Sequence, residues 1–154
     1  MNEYMELAIK EALLGMKNND GGPFGAVIVK NGEIISFAHN EVLKTNDPTS
    51  HAEITALRRA SLKLSRFDLS DCEIYSSCEP CPMCFAAIHW AKIKKLYYGS
   101  TREDAANIDF DDKYIYDVIK GTAKELQVEV LQINREECLK LFRKWKLKID
   151  RIPY

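Results

Sequence analysis

Cys81 and Cys84 stand three positions apart in Pro80-Cys81-Pro82-Met83-Cys84, and thirty positions earlier the chain carries His51-Ala52-Glu53. Each cluster sits where a helix begins. Asp47-Pro48-Thr49-Ser50 offers capping side chains for a helix over about 50 to 64, with Ala52, Ile54, Leu57, Ala60 and Leu64 on its buried side. Pro82, in a first turn, opens another helix that runs to about Ile93. Cysteines at i and i+3 of a first turn share one face, and the positive end of the helix favours their thiolates. With a neutral imidazole from a different helix they make a three-ligand set for zinc, which leaves the fourth tetrahedral position for water. Glu53, two residues beyond His51, then stands beside that water as a carboxylate that takes its proton and returns it to a leaving group.

Two other uses of these residues stay open at this level. Cys78 as a fourth ligand would close the site and leave Glu53 without a task, and a lone Cys-x-x-Cys in a cytosolic chain also suits redox chemistry. Five cysteines, three of them within seven positions, do not form a disulfide framework across a domain. Cys72 and Cys138 read as small buried apolar residues, and His39 and His89, which no motif recruits, read as structural.

Around the two clusters the pattern alternates. Residues 2 to 18 form an amphipathic helix with Met5, Ala8, Ile9, Ala12, Leu13 and Met16 at three-four spacing. Strands at 24 to 30 and 33 to 39 flank Asn31-Gly32, a strong hairpin signal. Further strands are expected at 72 to 77, 95 to 99 and 128 to 131, and further helices at 101 to 107, 113 to 120 and 135 to 148. The expectation is one α/β domain over 1–154: a three-layer α/β/α arrangement with a five-stranded mixed sheet, mainly parallel. A chain of 154 residues, 46% hydrophobic, buries enough surface to fold without a metal, so a zinc site here implies chemistry.

The formal charge is -1, which advertises neither a nucleic-acid nor a membrane partner, although residues 135 to 154 carry seven basic against three acidic side chains. That tail reads as an amphipathic helix with Leu139, Phe142, Trp145 and Ile149 on its buried side. The start, Met-Asn-Glu-Tyr-Met-Glu, lacks a positive leader region, and no apolar run approaches 18 residues, so a cytoplasmic protein is expected.

His-x-Glu followed by Pro-Cys-x-x-Cys resembles the cytidine-deaminase-like superfamily of zinc deaminases. Within it the chain is similar to the bacterial guanine deaminases, in Gly21-Gly22-Pro23-Phe24-Gly25-Ala26-Val27, Asn46-Asp47-Pro48-Thr49, Cys78-Glu79-Pro80-Cys81-Pro82-Met83-Cys84, Phe110-Asp111-Asp112 and Tyr154. Ile108-Asp109 departs from the small residues of that family. The resemblance implies one zinc per chain on His51, Cys81 and Cys84, with Glu53 as proton shuttle. It also implies a purine site: Asn40 to hydrogen-bond the base, Phe24 and Trp90 to wall it, the backbone N–H of Ala52 to orient it, and Asp112 with Tyr154 to recognise guanine. The activity so implied is hydrolysis of guanine to xanthine and ammonia; a homodimer is expected, and the sequence leaves open whether its subunits exchange the segment from about 135 to 154.

Guanosine or another aminopurine is the first alternative substrate. A tRNA adenosine deaminase would use Arg143, Lys144, Lys146, Lys148 and Arg151 on phosphates. A zinc-stabilised RNA-binding module would need the closed site.

Overall fold

The computed structural model describes residues 2–152. Asn2 caps α1 (Glu3–Lys17), its side chain accepting from the N–H groups of Tyr4 and Met5. Asn31 and Gly32 take φ of 50° and 82°, the positive values that a two-residue hairpin needs, and turn β1 (Gly25–Lys30) into β2 (Glu33–His39). A four-residue helix, α2 (Val42–Thr45), follows, too short for periodicity to reveal. Then come α3 (Ala52–Leu64), β3 (Glu73–Cys78), α4 (Pro82–Trp90), β4 (Lys95–Ser100), α5 (Arg102–Ala106), α6 (Lys113–Lys120) and α7 (Arg135–Leu147).

Among the described residues the sheet has four strands in the order β2-β1-β3-β4, not five. Val128 and Val130, expected in a fifth strand, lie in an irregular stretch at 71% and 78% exposure. Their β-branched side chains fit a pleated surface, but strand formation requires a neighbour to pair with and a face to bury. The sheet is also less parallel than expected. β1 is antiparallel to both β2 and β3, and only β3 and β4 pair in parallel. The alternation of strand and helix correctly makes β2, β3 and β4 run the same way. The hairpin places β1, reversed, between β2 and β3, so the crossover through α3 spans a strand.

Strand alternation sorts β1 into two faces. Ala26 and Ile28 pack with Ala52, Ala56, Ala60 and Leu57 of α3 and Ile88 of α4, while Val27 and Val29 pack with Ala8 of α1 and with Tyr75. The layers are therefore α/β/α. A Cβ at Gly25 would lie 2.0 Å from the Ala8 carbonyl oxygen, so glycine lets α1 lie close on the sheet.

His39, at the end of β2, is buried with Nδ1 3.1 Å from Glu11 Oε2 and Nε2 2.9 Å from Asp20 Oδ2, which makes it a structural tie between the sheet and α1. A Cβ at Gly15 would come within 2.5 Å of its ring. His89 lies 2.9 Å from the Phe85 carbonyl, within its own helix. Cys72 is buried as expected, whereas Cys138 is exposed. The apolar side of α7 is exposed too: Phe142, Trp145 and, beyond the helix, Ile149 are uncovered, and Leu139 is only partly buried. No helix among the described residues is long and apolar enough to cross a membrane.

Candidate active site

β2, β3 and β4 point the same way, so the loops that leave them gather at one end of the sheet, the end where open α/β sheets bind ligands. Asn40 follows β2, the loop carrying Cys81 follows β3, Arg102 follows β4, and Phe24 precedes the reversed β1. Together with the α3 start they line a cleft of about 500 Å³, within the range of small-molecule sites.

The α3 start is built by a local turn. The Thr49 N–H and hydroxyl both donate to Asp47 Oδ1, at 2.8 and 2.7 Å, and the Ser50 hydroxyl donates to Asp47 Oδ2. This leaves His51 as the N-cap of α3 in extended backbone; Cys81 is likewise the N-cap of α4, with Pro82 behind it. Neither uses its side chain as a cap, and both are turned to each other: His51 Nδ1 lies 3.5 Å from Cys81 Sγ and 3.5 Å from Cys84 Sγ.

The three ligand atoms fall within 4.8 Å of one another. Zinc–nitrogen and zinc–sulfur bonds of usual length at a tetrahedral angle put N and S about 3.5 Å apart, so the donor set fits zinc by both chemistry and spacing. Cys78 lines the cleft but stands outside the cluster, its thiol directed at the Thr101 carbonyl at 3.6 Å. Among the described residues the groups that could hold a metal ion here are thus three, and Cys78 is not one of them. The three side chains are electrostatically coupled. The Cys84 thiol donates to Cys81 and, with His51, draws the Cys81 thiol down to about 4. The same bond and burial push Cys84 up, and the Cys81 thiolate raises His51.

Glu53 lies in the first turn of α3, buried in the same cleft, with the Ser76 hydroxyl donating to its Oε1 at 3.0 Å. Burial raises its carboxyl above the ordinary range. Ser76 was not legible as a site residue, although a serine on a buried strand beside isoleucine and tyrosine signals a polar group that needs a buried partner.

Asn40 is buried and lines the cleft, and its Oδ1 accepts from the N–H groups of Gly22 at 3.3 Å and Val42 at 3.2 Å, which leaves the amide nitrogen as the donor end of the side chain. Phe24 forms part of the cleft wall and meets Phe110 edge-on, centroids 5.0 Å apart. Asp112, the N-cap of α6, makes no side-chain cap bond; its Oδ1 is buried without a hydrogen-bond partner among the described residues, and burial together with the nearby Cys81 raises its carboxyl. Ala52 buries its methyl in the core and is not among the residues that line the cleft.

Trp90 is not brought in. It ends α4 at 68% exposure and lies outside the cleft lining. Six residues past Cys84 amount to about 9 Å along the helix and about a third of a turn round from the Cys84 face. Tyr154 lies outside the described residues. Glu79, Arg102 and Tyr116 form a linked group at the cleft wall, in which Glu79 belongs to the Cys78–Cys84 segment while Arg102 and Tyr116 carried no motif in the sequence.

Residues 1–100 match the family model of the cytidine and deoxycytidylate deaminase zinc-binding region. The guanine deaminase of Bacillus subtilis is 45% identical over 143 residues, 93% of this chain and 92% of that one. An X-ray structure of guanine deaminase from Bacillus subtilis superposes with a TM-score of 0.94 at 43% identity, covering 100% of this chain and 99% of the other. The tRNA-specific adenosine deaminase of Agrobacterium fabrum is 35% identical over 145 residues, covering 88% and 95% of the two chains. The likeness spans both metal motifs and the sheet that presents them, and by it the chain belongs to the cytidine and deoxycytidylate deaminase family with its zinc-binding region.

Proposed function

We propose that the protein is a zinc-dependent aminohydrolase that converts guanine to xanthine and ammonia, with His51, Cys81 and Cys84 holding one zinc ion per chain. The observation that carries the substrate is Asp112: a buried carboxylate oxygen without a partner, in the same cleft as Glu53, is an acceptor suited to the ring and amino N–H groups of guanine. The 45% identity to a guanine deaminase supports the same substrate.

When bound, zinc supplies Lewis acidity that lowers the pKa of water. Glu53 takes a proton from the attacking water and passes it to the ring nitrogen beside the amino-bearing carbon. It then moves the second proton of that water to the amino group, which leaves as ammonia while the carbon keeps the oxygen. Ser76 holds the Glu53 carboxylate in place through these transfers. Phe24 offers a flat face to the base, and the Asn40 amide N–H groups donate to its acceptors. Ammonia release from guanine, guanosine, adenine, cytosine, cytidine and an anticodon stem-loop tests the assignment. Guanine is expected to turn over fastest; release from the stem-loop but not from guanine would transfer the chain to the tRNA deaminases.

The tail is read as exchanged within a homodimer. A helix is stabilised chiefly by burial of its apolar side, and α7 buries no residue in its own chain. Mixing two inactive proteins, a Tyr154 deletion and Glu53→Gln, is expected to restore part of the activity, because a mixed dimer assembles one complete site.

A further inference from the structure

Arg102 opens α5 at the point where the chain leaves β4, and the reaction as described gives it no task. Its guanidinium pairs with Glu79, and its backbone N–H donates to Glu79 Oε2 at 3.1 Å. The Cζ of the same guanidinium lies over the ring of Tyr116, 4.2 Å from the centroid. Tyr116 in turn donates its hydroxyl to the Pro80 carbonyl at 3.0 Å. Glu79 and Pro80 immediately precede the ligand Cys81. The contacts therefore form a closed circuit, from the metal loop through Arg102 to α6 and back to the metal loop. Asp112 belongs to that circuit: it caps α6, and its carbonyl accepts from the Tyr116 N–H at 3.3 Å. No cap bond fixes its carboxylate, so its place relative to the metal depends on where α6 sits.

Two roles compete for a cleft-lining arginine. As a docking point for a substrate phosphate it would need an uncommitted charge and face. Here Glu79 matches the charge and the Cζ lies over Tyr116, which is how a guanidinium ties two elements together. We propose that Arg102 is a positioning residue, which through Glu79 and Tyr116 holds α6 against the metal loop and so sets the Asp112 carboxylate where the base is read. This rests on the assignment of Asp112 to base recognition. Lysine cannot substitute, because an ammonium lacks the planar fork of the guanidinium. Phe110 on Phe24 gives the same wall a second attachment, so the wall without Arg102 loses alignment and not its place in the fold.

The test is a double-mutant cycle on guanine kinetics, with zinc content and thermal midpoint measured on every variant. Arg102→Gln is expected to keep its zinc and to raise KM for guanine about tenfold, with kcat changed less than about threefold; Arg102→Lys is expected to rescue little. In an Asp112→Asn background the same Arg102→Gln change is expected to alter KM less than about twofold, since the group it positions no longer accepts from the base. Full multiplication of the two effects overturns the proposal. Should Arg102→Gln fail to fold, Tyr116→Phe, which removes one hydrogen bond and keeps the ring, carries the same cycle. Asp112→Asn without effect on guanine refutes the reading of Asp112 and the positioning role with it. A damaging Asp112→Asn with a multiplicative Arg102→Gln leaves that reading standing and removes Arg102 alone.

Discussion

His51, Glu53, Cys81 and Cys84 stand on α3 and α4, whose inward faces fill one core cluster with β1, β2 and β3, whereas Asp112, Phe110 and Arg102 stand on a segment that contributes a single buried residue, Ala105, among those described. The two walls of the cleft face one another but are held by different forces. The metal wall cannot shift without opening close-packed apolar contacts among Ala52, Ala56, Ile88 and Ile74. The opposite wall, to which we assign reading of the base, is held by an edge-on aromatic pair, one ion pair and a tyrosine hydrogen bond, each partly accessible to water. A family that keeps its chemistry and changes its substrate has this construction available: the proton-transfer geometry is buried in the core, and recognition is hung from the periphery.

The strongest way to break that comparison is to remove a metal ligand. Cys81→Ala or Cys84→Ala is expected to abolish zinc binding and turnover together, because two remaining donors do not hold the ion in a set of three. Cys78→Ala, in the same cleft, is expected to keep about one zinc per chain by elemental analysis, since the Cys78 thiol is engaged with the Thr101 carbonyl. Equal zinc loss in Cys78→Ala would restore the closed four-ligand site and remove Glu53 from the chemistry.

Next in size is Glu53→Gln, which preserves shape and the capacity to accept from Ser76 but cannot carry a proton. Zinc is expected to stay, and kcat to fall by at least the roughly 10²-fold that positioned acid–base catalysis supplies. Near-normal turnover in a zinc-loaded Glu53→Gln protein would separate the metal wall from the proton transfer. Asp112→Asn, already part of the cycle on Arg102, is expected to fall mainly on KM.

The same division governs what the sequence made legible. His51, Glu53, Cys81 and Cys84 could be read because each lies within a few residues of the cap or proline that orients it, so spacing along the chain is spacing in space. The hairpin at Asn31-Gly32 and the alternation in β1 were readable for the same reason. The strand expected at 128 to 131 was not formed, because its pattern describes the side chains and not the presence of a pairing partner. The apolar stripe of α7 predicted a buried face that its own chain does not cover. The Glu79–Arg102–Tyr116 circuit joins residues 14 to 37 positions apart with no shared motif, and only the fold brings them together.

The smallest expected effect sharpens the comparison most, because it concerns two aromatic residues that family resemblance treats alike. Phe24 lies in the cleft with its ring edge-on to Phe110, and replacing it with leucine removes the flat surface while keeping apolar bulk; KM for guanine is expected to rise about tenfold, on the scale of a lost aromatic contact and its accompanying area. Trp90 ends α4 outside the cleft lining, and Trp90→Ala is expected to change kcat/KM by no more than about twofold, as substitutions at exposed positions usually do. Steady-state kinetics on the two variants, with zinc content matched, decide the point. A tenfold rise in KM for Trp90→Ala would mean that Trp90 reaches a cleft other than its own chain's, through the association that the uncovered side of α7 calls for. The cleft would then have a third wall, supplied by a second copy, and the contrast between core-held chemistry and periphery-held recognition would extend across the subunit boundary.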